Sequence, residues 1–118
     1  MLLVVSWLIL SVPNGVVNLG IEIPNAIVAQ HDAYVRCQDQ NYDVNKVHDR
    51  ATATGEVEHA ISQCRAQKAK LMSEAERILS KTPNYLDEAK RRTVLENSFD
   101  GYDKMRREMG EAMARAMR

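Results

Sequence analysis

The sequence predicts an all-α protein, an antiparallel helical hairpin pinned by one disulfide and followed by a long amphipathic C-terminal helix. Three observations carry that expectation. From Tyr34 onward, apolar residues recur at three- and four-residue steps. The two cysteines, Cys37 and Cys64, stand where a hairpin turning near Arg50 brings them side by side. Thr82-Pro83 then opens a third helical stretch that runs almost to the C-terminus.

The first helix is expected over about residues 31–49, with Tyr34, Cys37, Asn41 and Val44 on one face. The stretch Arg50-Ala51-Thr52-Ala53-Thr54-Gly55 reads as the turn, and Thr52 or Thr54 as the N-cap of a second helix over about 55–80. Val57, Ala60, Ile61, Cys64, Leu71, Ala75, Ile78 and Leu79 form its stripe. Antiparallel pairing that joins Cys37 to Cys64 also sets Val44 against Val57, Asn41 against Ala60 and Tyr34 against Gln67. The third helix is expected over about 83–117, with Thr82 as its cap. Its early acids suit the helix dipole, and Asp87–Arg91, Glu88–Arg92 and Asp103–Arg107 are spaced for i,i+4 pairing. Gly101 marks the place where this helix would bend or split.

Charge divides the chain into two pieces. The 118 residues hold 16 Lys and Arg against 16 Asp and Glu, so no basic excess marks a nucleic-acid binder. Yet Glu22 is the only charged side chain before His31. The run from Leu2 to Val12 is almost wholly apolar, too short for about 30 Å of hydrocarbon but suited to the core of a secretory leader. Residues 1–29 are therefore read as a signal peptide, atypical in lacking a basic start, with Ala29 before the cut. Residues 30–118 form a single small helical domain on that reading, exported to the bacterial periplasm or beyond. The alternative is a membrane anchor that retains residues 2–28. In an oxidising compartment two cysteines read first as a disulfide; a pair of buried free thiols is the competing reading.

The arrangement Tyr34-Val35-Arg36-Cys37, then Ala60-Ile61-Ser62-Gln63-Cys64, resembles small uncharacterised exported bacterial proteins. Those carry Tyr-x-x-Cys on one helix and Ala-x-x-x-Cys on the next. The resemblance covers residues 34–64 and implies no known activity. A more distant similarity is to cysteine-paired helical domains of the lysozyme-inhibitor type, whose downstream Leu-Asp, Leu-Asn and Tyr pattern has no counterpart here.

No motif for nucleophilic catalysis, phosphate cradling or dinucleotide binding occurs, so an enzyme is not expected and no cofactor is implied. The expected function is a non-enzymatic binding or interaction protein that uses its Met-rich C-terminal helix. Phe99, Tyr102, Met105, Met109, Met113 and Met117 are the candidate contacts with an unknown protein partner. A second reading is a soft-metal, Cu(I)-type binding protein of the cell envelope, with Met105, Met109, His48 and His59 as candidate ligands. A third is a membrane-tethered structural protein, should residues 2–28 stay attached.

Overall fold

A computed structural model describes residues 9–12, 15–18 and 21–117. The apolar run that begins at Leu2 lies largely outside the described residues. Among those described, no helix is long and apolar enough to cross a membrane.

From Val28 onward the chain is helical. The helices are α1 (Val28–Gln40), α2 (Arg50–Gln63), α3 (Arg65–Leu79), α4 (Glu88–Leu95) and α5 (Gly101–Ala116), with a π-helical turn at Glu96–Asp100 joining the last two. Ahead of them stand three short antiparallel strands in the order β1 (Ile9–Val12), β2 (Gly15–Asn18) and β3 (Ile21–Pro24). Val16 faces Ile23 and Val17 faces Glu22 across the second pair. Gly15 is required there, since a Cβ would lie 2.0 Å from the Ile23 carbonyl oxygen.

Cys37 and Cys64 are disulfide-bonded, 6.0 Å apart at their α-carbons. The bond joins the last turn of α1 to the junction between α2 and α3, where Cys64 closes one helix and opens the next. The tight turn at Arg50 expected from the cysteine spacing is replaced by a longer connection. Helix α1 stops at Gln40, and residues 41–49 form a loop with a 3-10 turn at Val44–Lys46. Val44 is 61% exposed in that loop and does not meet Val57, while Gln67 is exposed and Tyr34 turns elsewhere.

The caps explain these shifted boundaries. Asp49, not Thr52 or Thr54, caps α2: its carboxylate accepts from the Thr52 amide at 2.9 Å, and the Thr52 hydroxyl oxygen accepts from the Asp49 amide at 3.0 Å. Thr82 does not open the third helix. Its hydroxyl donates to the Ile78 carbonyl at 2.7 Å and finishes α3. After a loop in which Asn84 takes a left-handed φ of 75°, Asp87 caps α4 by accepting from the Lys90 amide at 2.9 Å.

Helix α5 runs antiparallel along α2. Gly110 makes the close approach possible, because a Cβ there would come within 2.8 Å of Val57 Cγ2. At the far end the Arg50 side chain donates to the Met117 carbonyl at 3.4 Å, so the end of the helix docks on the start of α2. The main core gathers Tyr34, Val35, Leu71, Ala75, Leu79, Leu95, Phe99 and Tyr102 around the disulfide, together with Ile23 and Ile27.

Candidate functional site

The C-terminal helix has two unlike faces, and the π-helical turn decides which residues belong to each. The wider turn buries Ser98 and Phe99 and sets Tyr102 and Asp103 inward one turn later. Phe99 and Tyr102 are wholly buried, so these two candidates belong to the core and not to a contact surface. Their rings pack against Tyr34, with centroids 5.6 and 6.1 Å away.

Asp103 is the hub of a buried polar clamp that sequence reading missed. Tyr34 Oη and Gln38 Nε2, one turn apart on α1, both donate to its Oδ1, the second at 2.6 Å. Lys68 Nζ on α3 donates to its Oδ2 at 2.8 Å and also pairs with Asp100. One carboxylate thus ties three helices. Burial pushes the Tyr34 hydroxyl far above the ordinary phenol range, and the neighbouring Asp103 carboxylate adds to that effect. At Lys68 burial works against the charge, yet Asp100 and Asp103 outweigh it and hold the ammonium above its usual value.

A second ion pair lies beside the first. Arg106 Nη1 donates to Asp39 Oδ1 at 3.0 Å, with both side chains largely buried. Its guanidinium also lies 5.6 Å from the Tyr42 ring and 5.9 Å from that of Tyr102. Burial raises the Asp39 carboxyl against the opposing pull of Arg106, and it pushes the Tyr102 hydroxyl up to about 12.

Above the clamp opens a cleft of about 290 Å³ lined by Ile61, Arg65, Lys68, Asp100, Asp103 and Arg107. Its charges are spent mostly on each other. Arg107 is held in a fork by Glu58, at 2.6 and 3.1 Å, and Lys68 by the two aspartates. The expected i,i+4 pair between Asp103 and Arg107 gives way to these interhelical partners. Arg91 likewise turns from Asp87 to Glu76, at 2.8 Å, whereas Glu88–Arg92 forms at 3.6 Å.

His31 is a buried titratable group with a different fate. It sits edge-on to Phe99 and Tyr102, at 6.1 and 5.4 Å, and its Nε2 has no hydrogen-bond partner among the described residues. Burial lowers its pKa to about 4, against a smaller opposing effect of the Ser98 backbone. The unfolded chain therefore takes up this proton first, near pH 6.5. Stability from the neutral imidazole is complete above about pH 6.5 and is lost as pH falls towards 4. Across that window the loss amounts to about 3 kcal/mol. Urea titrations between pH 7 and 4 should show it, and His31→Phe should flatten the slope. An equally steep slope in that variant would assign the pH dependence to other groups.

The flank of α5 beside Arg106 carries the exposed methionines. Met105 is half-buried against the core, and Met117 is half-buried where the helix ends. Met109 and Met113 are 45% and 42% exposed, one turn apart on the same face. Tyr42 Oη approaches Met113 Sδ at 4.0 Å. Among the described residues no cluster of three His, Cys, Asp or Glu side chains is placed to hold a metal ion. His48 precedes the α2 cap and His59 lies well along α2, both exposed and roughly 15 Å apart by helical rise.

The fold and its surfaces define a small disulfide-closed helical module with a locked polar interior and an exposed thioether pair. No family model matches the chain, and no curated protein or solved structure matches it.

Proposed function

We propose that this chain is an exported, non-enzymatic binding module that meets a partner protein through Met109 and Met113, with Tyr42 at their edge. The observation that carries the reading is the contrast between the two faces of α5. Its inner side is held by Asp103, Arg106 and the Gly110 contact, whereas on the flank beside Arg106 two unbranched, polarizable side chains remain 45% and 42% exposed. Methionines in such positions adapt their shape to an apolar partner at little cost. Export is supported by the Cys37–Cys64 bond, which persists in oxidising compartments, and by the apolar N-terminal run.

The buried acids and bases already hold one another, which favours binding over acid–base chemistry. A photoreactive methionine analogue incorporated in the producing cell tests the reading. An adduct of defined mass is expected. Met109→Ser/Met113→Ser should abolish it while leaving Tm within a few degrees, since both side chains are exposed. An adduct that survives the double substitution would place the contact elsewhere.

A further inference from the structure

The segment Ile21–Ala29 falls inside the expected leader, yet it completes the core. Ile23 and Ile27 are wholly buried, and Ile21 and Val28 pack against the same cluster. Helix α1 itself starts at Val28, two residues before the expected cut. A peptidase that hydrolysed the bond after Ala29, adding one water across it, would remove all four apolar side chains. The cut would also leave a new ammonium at the positive end of α1, beside the buried His31.

Resting on the export reading above, we infer that leader removal stops before Ile21, so the exported chain keeps Ile21–Ala29 as a clasp that closes its core. The cut then falls after a small residue between the apolar run and Ile21, where Gly15 and Gly20 are available. The clasp is built for retention. Ile21 and Ile23 alternate along β3, the 3-10 turn Asn25–Ile27 re-aims the chain, and Ile27 and Val28 follow on the way into α1. Its outer side forms a surface with the loop after α3, where Pro24, Asn25 and Ala26 face Thr82, Pro83, Asn84 and Tyr85.

Intact mass of the full chain recovered from the periplasm of an expressing bacterium tests the inference. A product beginning at or before Ile21 is expected. A product beginning at Gln30, folded and oxidised, would overturn the inference while leaving the export proposal standing. Should the full chain stay unprocessed in the cytosol, the export proposal fails, and core substitutions in the full oxidised chain decide about the clasp. Ile27→Val is expected to lower Tm by about 3–8 °C and Ile27→Ala by about 10 °C or more. The valine variant keeps the comparison readable if the alanine variant does not fold. An unchanged Tm in the valine variant, matching a Val44→Ala control, would overturn the inference.

Discussion

Asp103→Asn is expected to destabilise the protein by about 3–5 kcal/mol, the range for breaking a buried charge pair from one side. The substitution keeps shape and volume, so the loss comes from chemistry. Tyr34, Gln38 and Lys68 all donate to this carboxylate, and an amide can accept on only one of its two atoms. Its NH₂ group would face either the Lys68 ammonium or the two α1 donors. Lys68 keeps Asp100 as a partner, but that residue is exposed and its contribution is screened. Thermal unfolding should show a Tm drop of roughly 10–20 °C. Tyr34→Phe, which removes one donor and leaves the charge pair intact, should cost only about 1 kcal/mol. A cycle pairing Asp103→Asn with Lys68→Met should give a coupling of about 1–3 kcal/mol. Additive effects, or an asparagine variant as stable as the parent, would mean that the three helices are held by apolar packing alone.

Removing the disulfide with Cys37→Ala/Cys64→Ala should cost about 3–4 kcal/mol, given its separation of 27 residues. Small domains commonly have about 5–15 kcal/mol in total, so this is a large fraction. The bond closes the loop that joins α1 to α2. Residues 41–49 form a loop with no buried side chain; ahead of the cap at Asp49 and Thr52, the Asp43 amide reaches the following helix through Glu56 at 2.9 Å. In urea the midpoint should fall by about 1–3 M. Adding reductant to the parent should reproduce that shift, and the alanine pair should not respond to it. A midpoint that moves by less than the error of the fit would make the bond incidental to stability.

These two expectations differ in how far the sequence announces them. The Cys37–Cys64 pairing is legible from two cysteines in a chain read as exported, although the turn at Arg50 and the Val44–Val57 register that the spacing implied do not form. Gly101 likewise marks the end of the irregular turn, at Glu96–Asp100, in the last long helix. Helix starts were less legible. Threonine and aspartate both cap, and the choice of Asp49 over Thr54 and of Asp87 over Thr82 depends on where the loops finish. Asp103 was hidden more deeply. Its partners lie 65, 69 and 35 residues away, and on a one-dimensional reading it pairs with Arg107 as an exposed helix charge. Phe99 and Tyr102 misled for a related reason. An apolar stripe shows that a face is covered, but it does not say whether the cover is the protein's own core or a partner. The methionines share that stripe, and only the packing of α5 on α2 separates the inward residues from the outward pair.

The π-helical turn has a consequence for how this chain tolerates changes of length. A residue added to an α-helix turns everything beyond it by about 100°. The wide turn at Glu96–Asp100 takes up one such residue, so α4 and α5 each present the correct side to the same core. Deleting the exposed Asn97 would close the loop to ordinary pitch and leave both halves in phase. The same deletion two turns later would swing Gly110 from Val57 and bring Glu111 into its place. Within the C-terminal helices, chain length is negotiable at this one turn, in the direction of shortening, and an insertion there would find the slack already used.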